Sequence, residues 1–231
     1  LIFAIAALCR LISVVLLGLS HEPRFHGLAR GQRLKSFLST KRGRSAWRLV
    51  AMGAVLQFGV YLASPYFTPY MLSELGFSYA QYMLATVTIV IWKVALLPAW
   101  GRMIDHHGAR STYALAAMLV ALSPMIWLWA GGLAWVLVAQ SFSGFAWAGY
   151  DVAYFALQLE SSYARTRAQL FAAQLATTGS AQFLGSLVGA AVLAWPHGFL
   201  YAFGLSLAAR IVAAAAIPAL VPSTRHGVHL G

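Results

Sequence analysis

An all-α membrane protein, a polytopic bundle of seven transmembrane helices, is the fold class this sequence predicts, and three observations carry it. Of 231 residues, 61% are hydrophobic and only 9% are charged, where soluble globular domains have about 45–50% apolar and about 25% charged residues. The five acidic residues (Glu22, Glu74, Asp105, Asp151 and Glu160) cannot solvate a water-facing surface of this size, even beside sixteen Lys and Arg. The apolar residues also fall into seven long runs, 1–19, 47–72, 79–101, 112–130, 132–157, 168–194 and 198–221, each near the roughly 20 residues that cross a bilayer as a helix. Lipid offers backbone groups no hydrogen-bond partners. Runs so evenly apolar also lack the alternation of barrel strands, so a helix is expected for each.

The connectors set the orientation, because cytoplasmic loops retain Lys and Arg. Residues 20–48 hold Arg24, Arg30, Arg33, Lys35, Lys41, Arg42, Arg44 and Arg48, while 73–78 hold none. Arg102 and Arg110 lie in 102–111, Arg165 and Arg167 in 158–167, and Arg225 in the tail; residue 131 and residues 195–197 are free of basic side chains. This alternation predicts cytoplasmic basic loops, a cytoplasmic C-terminus and Leu1 outside, in a multi-pass protein of the plasma (inner) membrane.

The partition expected is a first helix at 1–19, a basic cytoplasmic loop at 20–46, a six-helix unit at 47–221 and a tail at 222–231. Leu28, Leu34, Phe37 and Leu38 allow the loop to be either an amphipathic helix on anionic lipid or a solvated linker. The first run has no basic n-region and no Ala-x-Ala cleavage site at its end, so it does not read as a signal peptide; the chain reads as a piece of something longer.

The formal charge of +11 would suit nucleic acid, but the basic residues sit in connectors and not on one face among aromatics, so no nucleic-acid partner is expected. Cys9 stands alone in an apolar run, so neither a disulfide framework nor a Cys-based metal site is expected. No cofactor is called for.

Helical period sorts the spans. Gln57, Tyr61, Ser64 and Thr68 share one face of 47–72; Gln140, Gly144, Trp147, Asp151 and Tyr154 share one face of 132–157. In 168–194 Gln174, Thr178, Gln182 and Ser186 recur every fourth residue, and Tyr79, Tyr82, Thr86 and Lys93 lie near one line of 79–101. Such stripes serve either helix–helix hydrogen bonding or the lining of a polar cavity. Charges inside spans say more, since one at mid-membrane costs at least about 2.5–3.5 kcal/mol. There are four: Arg10, Lys93, Asp151 and Arg210. Lys93 precedes Gly101 by about 12 Å of helix, within reach of the headgroups by snorkelling. Asp151 is too short to snorkel, which makes it the candidate proton carrier or cation site, either wetted by a cavity or held by a cation such as Lys93. Arg210 calls for another buried polar group beside it.

The stretch Gly101-Arg102-Met103-Ile104-Asp105-His106-His107-Gly108-Ala109-Arg110 resembles the G-x-x-x-D-x-x-G-x-R loop signature of the major facilitator superfamily, in the copy between the second and third helices of its C-terminal half. The order of one helix, a long basic loop and six more helices agrees with it. Pro65-Tyr66-Phe67-Thr68-Pro69-Tyr70 is similar to a broken outer end of the seventh helix, and Ser143 to Asp151 to a small-residue tenth helix. The resemblance implies the sixth to twelfth helices of a twelve-helix transporter, half of the fold plus one helix, with an N-terminal half as partner. It also implies that the seventh, eighth, tenth and eleventh helices line a cavity, with the ninth and twelfth behind them.

The candidate substrate and ion pathway is therefore Gln57, Tyr61, Lys93, Gln140, Trp147, Asp151, Tyr154 and Gln182, and the gating loop is Gly101, Arg102, Asp105, Gly108 and Arg110. In the loop Asp105 is placed to accept from helix N-terminal amides or to pair with Arg102 or Arg110, and the two glycines to permit close approach and a tight turn. The function expected is secondary active, alternating-access transport of a small organic solute, with a proton as coupling ion. No G-x-x-x-x-G-K-[ST] loop supports ATP drive. An intramembrane enzyme finds no support, because no His-Glu-x-x-His occurs and all seven His read as loop or tail residues. A non-transporting receptor or scaffold on a transporter fold stays open.

Overall fold

The computed structural model describes residues 2–19, 39–163 and 166–221. The chain divides into two compact units, Leu1–Gly31 and Gln32–Gly231. The first holds helix α1 (Ile2–Leu19), with Arg10 at its middle. The second holds α2 (Lys41–Tyr61), α3 (Tyr79–His107), α4 (Ala109–Trp127), α5 (Leu133–Ser161), α6 (Arg167–Leu193) and α7 (Gly198–Leu220), with no strand among the described residues. The protein is thus an all-α helix bundle. The residues discussed for an amphipathic loop helix, Leu28, Leu34, Phe37 and Leu38, lie outside the described residues.

Local chemistry starts and stops these helices. Thr40 accepts from the Gly43 amide at 3.0 Å and caps α2, so helix begins six residues before the apolar run and takes in Lys41, Arg42 and Arg44, which the composition assigns to the connector. Ser78 and Gln81 form a reciprocal capping box at the start of α3. The seventh-helix break falls where the two prolines predict it. After Tyr61 the chain passes through a 3-10 turn at Ser64–Tyr66, one α-helical turn at Phe67–Pro69 and a π-helical turn at Tyr70–Glu74, since proline cannot supply the amide a regular helix needs.

A second six-residue difference in span boundaries is at the end of α3. Helix continues past Gly101 to His107, and only Gly108 (φ 81°) forms the joint to α4, so the expected 102–111 loop is the end of one helix, a one-residue joint and the first turn of the next. Arg102, Asp105, His106 and His107 are exposed there. A polar helical end emerging from the membrane has the composition of a loop.

Among the described residues, five helical segments are long and apolar enough to cross a membrane, namely Lys41–Glu74, Tyr79–His107, Ala109–Trp127, Arg167–Leu193 and Gly198–Leu220. The 29-residue α5 is not among them, although it is long enough. Its polar stripe dilutes its apolarity.

Packing follows the order α3–α5–α4–α7–α2–α6. Alanines let the inner helices approach closely: Ala116, Ala117 and Ala121 of α4 and Ala213 and Ala214 of α7 are fully or almost fully buried. One core layer gathers Leu56 and Val60 of α2, Tyr113 of α4, Leu157 of α5 and Ile217 of α7. A second, toward the other end of the bundle, gathers Met71, Trp127, Val136 and Phe203. The two helices at the ends of the packing order are the least enclosed: 11% of the α3 span and 17% of the α6 span are buried, against 50% for α4. Both keep long apolar and polar surfaces free for lipid or for further protein.

Candidate functional site

Lys93 at the middle of α3 and Asp151 in α5 meet as an ion pair, Nζ to Oδ2 at 2.5 Å, with their side chains 40% and 44% exposed. The pairing alternative for Asp151 is the one realised, so Lys93 has no need to snorkel. The approach of the two helices depends on Gly144. A Cβ there would lie 2.6 Å from the Ile89 carbonyl, 2.8 Å from Trp92 Cβ and 3.1 Å from the Lys93 amide, so any larger residue would push α3 away at the level of the pair. Trp100, one turn from the other end of the contact, donates its Nε1–H to the Phe145 carbonyl at 2.9 Å and packs against Gly149.

The second polar line joins α2 and α6. Gln182 Nε2 donates to Gln57 Oε1 at 3.4 Å, and the Tyr66 hydroxyl donates to the Ser186 carbonyl at 2.5 Å. Gly185 and Gly189 make this crossing possible, since a Cβ at either would collide with the Phe58 or Leu62 carbonyl of α2. Tyr61, Gln57 and Gln182 are all half-buried on this seam.

The α5 stripe divides. Gln140 and Trp147 line a cavity of about 80 Å³ with Val60, Ser64, Ser123, Ser143 and Arg210 among its walls. Tyr154 departs from the cavity face: it is 7% exposed, stacked on Tyr150 at 5.6 Å between ring centres and tilted against Tyr113 at 5.4 Å. It also covers Gly53 of α2. The period that puts it in line with Asp151 does not tell a cavity from a core.

Arg210 has the buried polar neighbours expected of it. Its guanidinium donates to the Val120 carbonyl at 3.2 Å and Ser123 Oγ at 3.0 Å on α4, and to the Val60 carbonyl at 3.1 Å on α2.

At the α3–α4 joint, the Gly108 amide closes the helix on the Ile104 carbonyl at 2.7 Å, and the Arg110 guanidinium donates to the Pro218 carbonyl near the end of α7. Asp105 makes no ion pair with Arg102 or Arg110, and no hydrogen bond, among the described residues. Gly101 has open space around it. The tight turn expected at Gly108 is present; the close approach expected at Gly101 and the internal carboxylate latch are not.

The model of the family described as Major Facilitator Superfamily matches residues 49–229. The chain belongs to the major facilitator superfamily. It is a membrane transporter of the major facilitator type, an integral multi-pass protein, and the match runs from α2 through α7. No curated protein matches the chain. Within this superfamily member, the resemblance carried by Gly101 to Arg110 holds at the level of family, although the stretch is mostly helix. Sequence reasoning did not bring Ser64, Ser123 and Ser143 to Arg210, because a period places a serine on a face of its own helix and says nothing of the neighbour opposite. It also missed the spacer role of Gly144, though the small-residue character of that stretch was the available signal.

Proposed function

We propose that this chain is the C-terminal portion of a secondary active transporter that moves a small organic solute by alternating access, with a proton as coupling ion and Lys93–Asp151 as the ion-responsive pair. The observation that carries the proposal is the half-exposed ion pair at mid-helix. Charges at that depth are excluded from lipid, so an exposed pair there belongs on a face turned to a water-filled path or to another protein half. Its helix, α3, and the Gln57–Gln182 seam of α6 stand at the two ends of the packing order, on the least enclosed helices. An N-terminal six-helix half closing over these faces completes a central cavity between two rocking units.

Rocking that separates α3 from α5 at Gly144 breaks the Lys93–Asp151 pair, which ties the pair to the state of the carrier. Tyr61, Gln57, Gln182, Gln140 and Trp147 supply neutral polar and aromatic contacts, which suit a neutral or amphipathic solute. The gating stretch Gly101 to Arg110 holds Asp105 exposed and free of an internal partner, available to the other half, with the basic connectors and the C-terminus in the cytoplasm.

Accessibility tests this reading. Gln182→Cys on a Cys9→Ala background, in the twelve-helix form, is expected to react with an impermeant charged thiol reagent both from outside in intact cells and from the cytoplasmic side in inverted vesicles. A cysteine inert from both sides would place this seam in packing and remove the path.

A further inference from the structure

Arg210 is 2% exposed in the middle of a membrane helix, and its three hydrogen-bond acceptors, two backbone carbonyls and a serine hydroxyl, are all uncharged. No carboxylate pairs with it among the described residues; the ion pair nearest in kind, Lys93–Asp151, is self-contained. A guanidinium carries five N–H donors and stays protonated in proteins. Its Nε–H is buried without a partner, and one N–H of the terminal pair is also unspent. The same side chain forms part of the wall of the cavity of about 80 Å³, whose other polar members are Ser64, Ser123, Gln140, Ser143 and Trp147. The Ser123 hydroxyl already donates to the Val120 carbonyl and accepts from Arg210, but Ser64, Gln140, Ser143 and Trp147 can each donate a hydrogen bond, and none of the lining groups carries negative charge.

We propose that this cavity is a binding site for a small inorganic anion of halide size, which neutralises Arg210 between α2, α4, α5 and α7. Buried charge is tolerated where it is compensated, and here the protein supplies donors and space but no counter-charge. About 10–15 Å³ of such space holds one water, so the cavity has room for a chloride and a few waters. Because the anion would sit where four helices meet, it would bind the folded bundle and not the unfolded chain, and so stabilise by mass action. The inference is independent of the transport reading.

The test is thermal unfolding of the purified full chain in detergent as chloride replaces gluconate at constant ionic strength, with bound radiolabelled chloride measured in parallel by equilibrium dialysis. The midpoint is expected to rise with the logarithm of chloride concentration, by roughly 5–10 °C at about a hundredfold excess over the dissociation constant, with saturable chloride binding. Arg210→Met should abolish both. Should that variant fail to fold, Ser143→Val fills the cavity while leaving the three hydrogen bonds of Arg210 in place, and it too should abolish both. A midpoint indifferent to chloride, with no saturable binding, would overturn the site in favour of water alone. Chloride dependence that persists in Ser143→Val would overturn it by placing the anion elsewhere.

Discussion

Asp105 and Asp151 are both carboxylates on long membrane helices, yet the structure gives them opposite circumstances. Asp151 is bound to Lys93 at 2.5 Å; Asp105 is exposed at the end of α3 with no partner among the described residues. A charge in water without a partner adds little to the stability of its own bundle, so Asp105 has no structural task here to explain it. Its expected task is to bias a gate by contacts with the other half. Asp105→Asn in the twelve-helix form should therefore lower transport about fivefold or more, the usual scale of a coupling of about 1 kcal/mol or above, while membrane insertion is unchanged. Wild-type rates in that variant would reduce Asp105 to an ordinary helix-end residue. Arg210 shows the limit of reading single residues: its burial and need for neighbours follow from its charge. Two of its three acceptors are backbone carbonyls, which every residue possesses and no sequence pattern marks.

At the scale of elements, the contact of α3 with α5 decides whether the pair forms. Gly144 leaves no room for a side chain against Ile89, Trp92 and Lys93. Gly144→Val should destabilise the bundle by about 1–3 kcal/mol, the usual cost of overpacking, and should lower the unfolding midpoint of the chain in detergent. A midpoint equal to that of the wild type would show that α3 is free to shift without cost.

Helix existence was legible because apolar length leaves a chain in lipid one choice. The seventh-helix break was legible from Pro65 and Pro69 together, two prolines four residues apart, whereas the single Pro98, Pro124 and Pro218 stay inside helices. The end of α3 was not, because Arg102 to His107 emerge from the membrane and look polar whether coiled or helical. The stripe of α5 put Gln140 and Trp147 on one face, and both line the small cavity; the meeting of Asp151 with Lys93, one of two alternatives, rests on charge and not on period. The stripe misassigned Tyr154, since a phenol fits a cavity wall and an aromatic core equally well and the period is blind to which neighbour stands opposite.

For the whole molecule, the basic connectors are expected to set which way the carrier faces. Cysteines placed at Gly31 and Gly231 should react with an impermeant thiol reagent only from the cytoplasmic side, and those at Gly76 and His197 only from outside, on a Cys9→Ala background. Reaction of the Gly31→Cys chain in intact cells would reverse the orientation. Gly76 and His197 are suited to the labelling because both lie in short joints between helices, with φ of 64° and 59°. The central claim is that the superfamily fold puts a working ion pair at mid-membrane, on the least enclosed face of this half. Gradient-driven solute accumulation by the twelve-helix form measures it most directly, in Asp151→Asn, Lys93→Met and the two combined. Each single change leaves a lone charge or a broken pair at mid-membrane and should abolish accumulation; the double change removes both charges and should restore membrane levels of the protein but not coupling to the gradient. Accumulation that survives Asp151→Asn unchanged would contradict the account and leave the pair a purely structural tie between α3 and α5.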